Sequence, residues 1–429
     1  MTESNQKPKR KRKSNRQRKA IEATTRGSKT ICLPIERENY SQIVGEASHY
    51  RAWIDEMYAK YPELFPQALA GGYRLHDRLP LSKKLADIQL RRLALKTNGE
   101  VYSVRPSFVL PYMAGYTDDV ENGLFMLSFG VPFWAVRRVF GKNEMYWERL
   151  TERLGHNSLV GTTVRNAEAL PKDLVADEKH SEISAKPAYI ATTVGGDCIL
   201  GAALSPTASE EALRPAYAQF RYEALNLAPD YQPQTVNLDG WKATCNVWST
   251  LFPKITLILC FLHSFINIRQ CCKNLKQTYF DLCHLVWDAY HAPTASDFHA
   301  KLAALALWAL NNLPDGTALD SIIKLCSKAD RFAIAYDFPS AQRTSNMVDR
   351  HMQLMDAFLF AGKSFHGHLM TAEFRIRAWS LLHNFRPFCP RSDVADSFHS
   401  RAHRLNGFVY HENWLHNLLI SSSMAGFRA

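Results

Sequence analysis

The stretch "TVNLDGWKAT", residues 235–244, decides how the middle of this chain is read. A short β-branched, apolar run ends in Asp239 and Gly240, directly before a pattern of helical period. An Asp-Gly pair commonly closes a hairpin, because both residues tolerate the backbone angles of a tight turn. The other reading is a strand that delivers a carboxylate to the edge of a sheet and then passes into a helix. The neighbouring sequence favours the second. Upstream, "LVADEKH" (174–180), "AYIATTV" (188–194) and "CILGAAL" (198–204) have strand character, and Gly195-Gly196-Asp197 supplies turn chemistry. A helix follows, with capping-box spacing at Thr207 and Glu210 and an apolar stripe of Leu213, Tyr217, Phe220 and Ala224. "TVNLDG" is then the fourth strand, "WKATCNVWSTLF" (241–252) a helix, "KITLILC" (254–260) the fifth strand and "FLHSFINIRQCCKNL" (261–275) a helix. A three-strand meander followed by strand, helix, strand, helix predicts a mixed sheet with helices on its faces, an α+β or α/β core.

Around this core, from 169 to 275 and again from 339 to 390, the pattern changes. Residues 276–338 have no strand signal and read as an all-α insertion that includes "HAKLAALALWALNNL" (299–313). Helices follow at 347–362 and 371–385, and 391–429 reads as a loop-rich tail with one more helix near Trp414. On the other side, 31–110 reads as mostly helical, including "LSKKLADIQLRRLAL" (81–95), with an extended, Pro-punctuated piece at 100–113. Three short helical patterns broken by Gly-containing turns then predict a helix-turn-helix at about 117–155, with Thr117 or Asp118 as the first cap, inside an N-terminal helical region, 31–168. In its third helix Trp147, Leu150 and Leu154 share the core face, leaving Lys142, Asn143, Tyr146, Arg149 and Arg153 as candidates for a DNA-facing surface. Glu144, Glu148 and Glu152 line another face and would repel phosphates if turned toward DNA, so a plain helical bundle is the competing reading.

With 429 residues and 46% hydrophobic composition, the chain can bury several cores. The longest apolar run, Ile255 to Ile268, is interrupted by His263, Ser264 and Asn267 and is too short to span a bilayer. The charged N-terminus has no signal-peptide core, and nine cysteines without a framework point to reduced thiols in a cytosolic compartment. The net charge of +11 implies a polyanionic partner. Its distribution is uneven: residues 7–19 hold nine Lys or Arg against the single Glu3, so the first nineteen residues carry +8. Residues 1–30 are expected to be a disordered basic tail that binds phosphates through counterion release, or simply solubilises the chain.

In an open sheet with parallel strands, sites form at the carboxyl ends of strands, where Asp239 lies. Asp177 sits in the first strand, the expected neighbour of the fourth, so the two carboxylates can converge, and Asp349 near the start of a later helix supplies a third. Converging carboxylates repel unless a cation lies between them, and hard oxygen ligands suit Mg²⁺ or Mn²⁺, in a two-ion arrangement for phosphodiester chemistry. Asp173 and Glu178 compete for the first position, but strand alternation turns Glu178 to the opposite face from Asp177. Asp356 is the substitute for Asp349, and His180 is a second-layer candidate or an ordinary surface residue. Among the basic residues near the third acid, Arg343, Arg350, Lys363, Arg375, Arg377 and Arg386, Arg350 is the preferred phosphate ligand. Cys260 and His263 do not fit the spacing of a common zinc module, and Cys260 can equally be a small buried residue.

The strand order, "VNLDGW" (236–241), Cys260-Phe261-Leu262-His263 after the next strand, and "TSNMVD" (344–349) resemble DDE transposases of the Mutator-like group and their bacterial insertion-sequence relatives. The intervals of 62 residues from Asp177 to Asp239 and 110 from Asp239 to Asp349 also look like that group's layout, and the resemblance covers roughly residues 110–390. It implies an RNase H-like core with a helical insertion before the last acid. It also implies metal-dependent cleavage and strand transfer by Asp177, Asp239 and Asp349, with Cys260 and His263 in the active-site neighbourhood. The partners it implies are double-stranded DNA, as terminal inverted repeats and target, and further copies of the chain, in a nucleoid-associated cytoplasmic location in a bacterium or the nucleus of a eukaryote. The family's third acid is usually Glu, whereas this chain has Asp349. Two other outcomes are expected to compete: a catalytically silent DNA-binding descendant, and an RNase H-like nuclease without strand transfer.

Overall fold

The computed structural model describes residues 27–275, 277–394 and 397–427, so the basic stretch 7–19 lies outside the described residues. The architecture is mixed α and β, with two sheets and flanking helices. The central sheet has five strands: β5 (Asp173–Ile183), β6 (Lys186–Gly195), β7 (Cys198–Ser205), β8 (Thr235–Leu238) and β9 (Thr256–Leu259). Their spatial order is β7-β6-β5-β8-β9, with β5–β6 and β6–β7 antiparallel and β5–β8 and β8–β9 parallel. The meander and both parallel neighbours agree with the pattern of the sequence. Gly196 and Asp197 take positive φ of 56° and 62° in the β6–β7 turn, as a tight hairpin demands.

Alternation along β5 separates two cores. Leu174 and Ala176 face α7 (Glu210–Leu227) and α8 (Lys242–Leu251), packing with Leu213, Tyr217, Phe220, Ala224, Val247 and Trp248. Ser209, rather than Thr207, caps α7 by accepting from the Ala212 amide. Val175 faces the other way, into a core shared with α14 (Asn346–Ala361) and α15 (Leu369–Phe385). A third core belongs to the insertion, where α9 (Phe261–Cys272) packs with α10 (Gln277–Tyr290), α11 (Ala295–Asn312), α12 (Thr317–Cys326) and α13 (Ala329–Ala333).

The N-terminal region corrects the helical expectation for 31–110. Only α1 (Arg37–Val44) and α2 (Ala47–Lys60) are α-helices there. The rest builds a second sheet of β1 (Thr30–Leu33), β2 (Tyr73–Arg78), β3 (Arg91–Leu95) and β4 (Val101–Pro106), in the order β1-β4-β3-β2. Residues 81–95 form turns and then β3, which pairs antiparallel with both β2 and β4. Strand pairing on two sides outweighs helix-favouring residues, and the helical spacing of Leu85 and Ile88 comes from successive turns that bury both. Three helices do follow at the expected places: α3 (Glu121–Ser128), α4 (Phe133–Phe140) and α5 (Glu144–Leu154), then α6 (Leu159–Thr163). Neither Thr117 nor Asp118 caps α3, whose cap position is Val120; Thr117 instead donates to the Ser107 carbonyl. Beyond 391 the chain carries α16 (Arg401–Asn406) and α17 (Trp414–Ser421), and every residue of α17 is buried. Leu415, Leu418, Leu419 and Ile420 share a core with Ile31 and Leu33 of β1, so this segment is structural core rather than a loose tail. Among the described residues no helix is long and apolar enough to cross a membrane.

Candidate active site

Val175 pairs with Asn237 at the last rung of the β5–β8 ladder, so two residues further on Asp177, midway along β5, lies alongside Asp239, just past the carboxyl end of β8. Parallel neighbours are about 5 Å apart, close enough for the two carboxylates to act on one ligand. Asp239 follows β8 directly, and its Oδ1 accepts from the Trp241 amide at 2.7 Å, starting the turn into α8. Gly240 makes that turn possible. Its φ is +93°, and a Cβ there would sit 2.4 Å from Leu259 Cδ1.

Asp349 is in the first turn of α14, on the face of the sheet that Asp177 shares. Its Oδ2 accepts from Ser345 Oγ at 2.7 Å. Asp177 Oδ1 accepts from the Glu178 amide at 2.8 Å. Each of the three acids thus spends one oxygen on a local bond that fixes its rotamer and keeps the other available, a hard donor set suited to Mg²⁺ or Mn²⁺. Burial, together with the charges of Asp239 and Asp349, pushes the Asp177 carboxyl up to about 6, against the Glu178 amide and His263, which favour its ionised form. As placed, no three His, Cys, Asp or Glu side chains among the described residues form a ready-made metal-binding group. The three carboxylates are electrostatic neighbours.

Glu178 points to the other face, as alternation requires. It is buried and accepts from Tyr217 Oη and Thr244 Oγ1, both at 2.7 Å, and burial pushes its carboxyl up to about 7. Asp173 is four residues down the strand, bound by Thr235 and Ser340 hydroxyls. Asp356 pairs with Lys179 at 2.8 Å, and exposed His180 lies against Tyr189.

Cys260 and His263 join the site. Contact with Cys260 raises the His263 imidazole, burial opposes it, and the nearby Asp177 and Asp239 charges add to the rise, to about 9. Burial pushes the Cys260 thiol up, but bonds from His263 and Ser345 outweigh it and the net shift is downward. His263 Nδ1 is buried with no hydrogen-bond partner. Arg350 is not brought to the carboxylates: it is exposed, and its charge acts on Asp197, His351 and Arg401. Arg377 and Arg386, by contrast, are internal, Arg377 in a buried 2.6 Å pair with Glu223 and Arg386 bound to the Ser128 carbonyl. Ser345 was not singled out by sequence, because a Ser before a helix reads as a cap; here its hydroxyl serves the acid one turn on.

In α5, Trp147, Leu150 and Leu154 are buried as the helical period requires. The charges of Glu148 and Glu152 act on the Arg375 guanidinium, and Glu144 pairs with Arg137 at 3.3 Å on the surface. Lys142 and Arg149 are exposed. Asn143 Oδ1 caps the helix at the Tyr146 amide, Lys142 lies over the Tyr146 ring at 5.9 Å, and Arg153 over Tyr112 at 4.7 Å.

The chain matches no known family and no curated protein.

Proposed function

We propose that this protein is a DDE-type transposase, which cleaves DNA at the ends of an insertion sequence and joins them to target DNA. The observation that supports this reading is that Asp177, Asp239 and Asp349 are electrostatic neighbours, carried by two adjacent parallel strands and one helix. The order third, second, first, fourth, fifth, with only the second strand antiparallel to its neighbours, supports an RNase H-like core. The three aspartates would hold Mg²⁺ or Mn²⁺, which when bound neutralises charge on the phosphodiester and makes an attacking oxygen more acidic. The chain's own residues do the rest. Local hydrogen bonds fix the three carboxylates, and His263, whose imidazole is raised to about 9 by Cys260 and the nearby carboxylates, would offset part of their mutual repulsion; its buried Nδ1 has no hydrogen-bond partner among the described residues. Lys142, Asn143, Tyr146, Arg149 and Arg153 of the α4–α5 unit would read the element's terminal inverted repeats, and residues 7–19 would add sequence-independent affinity. Joining two ends calls for a homo-oligomer on DNA, housed with the nucleoid of a bacterium or in a nucleus.

A second reading, a catalytically silent DNA-binding protein, draws support from the aspartate at the third position. The test is Mg²⁺- or Mn²⁺-dependent cleavage and joining of DNA carrying the gene's native flanks, with Asp239→Asn and Asp349→Asn as controls. Joined products lost in both variants support the transposase. Cleavage without joining selects a nuclease, and binding without any product selects the silent form.

A further inference from the structure

We propose that the helical insertion positions the third carboxylate through a latch at residues 342–345, in which Arg343 and Ser345 are positioning residues. This rests on the role proposed for Asp349. The segment leads from the insertion into α14 and is stitched to the ends of both parallel strands. Asn237 Nδ2 of β8 donates to the Gln342 carbonyl at 2.9 Å, and the Phe261 amide, just past β9, donates to the Arg343 carbonyl at 3.1 Å. The Ser345 amide donates to Cys260 Sγ at 3.2 Å, and the Cys260 thiol reaches Ser345 Oγ at 3.4 Å. Ser345 Oγ then donates to Asp349 Oδ2 at 2.7 Å. Ser345 is 2% exposed, so water does not compete for these bonds.

The other end of the latch is an aromatic cage built by the insertion. The Arg343 guanidinium lies 4.4 Å from the Tyr336 ring centroid, 4.7 Å from Tyr290 and 5.8 Å from Phe298, and donates to Tyr336 Oη at 3.0 Å. A guanidinium held by rings is anchored more firmly as it is desolvated. The insertion therefore grips the side chain of Arg343 while the sheet grips its carbonyl, and Ser345 two residues later aims the acid. A shift of the insertion is transmitted to Asp349 over a single helical turn. Arg343 is thereby withdrawn from the DNA-contacting set in which its sequence position placed it.

The test combines hydrogen exchange with steady-state cleavage on full-length wild type, Ser345→Ala, Ser345→Thr and Arg343→Met. Ser345→Ala is expected to lower kcat about 10- to 100-fold with little change in KM for DNA, as for a misplaced catalytic group. Ser345→Thr, which keeps the hydroxyl, restores it. Arg343→Met and Ser345→Ala both increase amide exchange at 346–350 while β5 and β8 stay protected. Wild-type protection at 346–350 in both variants overturns the latch, whatever the activity. If wild type neither cleaves DNA nor binds Mn²⁺, the role of Asp349 falls and the positioning proposal with it; exchange separates that outcome from failure of the latch itself.

Discussion

Replacing Asp177 by Asn should stabilise the metal-free protein at pH 8 and, under the proposed function, abolish DNA cleavage. Burial, reinforced by Asp239 and Asp349, pushes the carboxyl from 3.8 up to about 6. A gap of about 2 units corresponds to about 3 kcal/mol of destabilisation once the group is ionised in both folded and unfolded chains. Asparagine keeps an acceptor for the Glu178 amide and removes the charge, so a gain of about 1–3 kcal/mol is expected after local solvent relaxation. The folded carboxyl holds its proton more tightly than the unfolded one. The penalty is therefore nearly absent below pH 3.8, grows as pH rises toward about 6, and is constant above. For a chain of this length the gain is a rise in Tm of about 1–3 °C at pH 8, shrinking to a fraction of that at pH 4. Thermal melts in EDTA at the two pH values measure it. A variant less stable than wild type at pH 8, or equally stabilised at both pH values, refutes the electrostatic reasoning. Added Mn²⁺ should raise the Tm of wild type and leave the variant unmoved.

Gly240→Ala should cost about 1–3 kcal/mol, because positive φ and the approach to Leu259 both oppose a side chain; an unchanged denaturation midpoint would show that the turn relaxes. Arg377→Met leaves the Glu223 carboxylate buried without its 2.6 Å partner and should cost about 3–5 kcal/mol. Adding Glu223→Gln should recover part of that loss in urea melts, and strict additivity would argue against the pair acting together. Arg149→Ala should weaken DNA binding and lower the salt slope by about 1 for a phosphate contact, as measured by fluorescence anisotropy across salt concentrations. Glu148→Gln should leave affinity within about twofold, since the charge of that acid acts on Arg375.

The central sheet is legible because short apolar and β-branched runs in β5 to β7, glycine at the turn and an acid closing β8 are local signals that agree with one another. The N-terminal sheet is not legible for the opposite reason. "SKKLAD" contains good helix formers, and nothing local in "RRLAL" announces that β2 and β4 will flank it. In the candidate site, Asp239 follows from a strand end and Asp177 from its place in the neighbouring strand, whereas Cys260 and His263 enter only through the resemblance to DDE transposases. Arg350 fails because adjacency in sequence on a helix turns consecutive side chains about 100° apart. Ser345 and Arg343 depend on contacts between distant segments, Cys260 in one case and Tyr336 in the other, which no single window of sequence displays.

The burial of α17 beneath the first sheet has a consequence for biosynthesis. The Cys32 amide of β1 donates to Ser423 Oγ, a separation of 391 residues, and the same hydroxyl donates to the Leu64 carbonyl. The N-terminal core therefore stays incomplete until nearly the whole chain has been made, while the central sheet can pair earlier. Contacts of such long sequence separation slow folding and leave apolar surface waiting for its cover. A product interrupted before residue 414 would keep all three aspartates and still expose Ile31, Leu33 and their neighbours, making it a substrate for quality-control proteases rather than a smaller working enzyme.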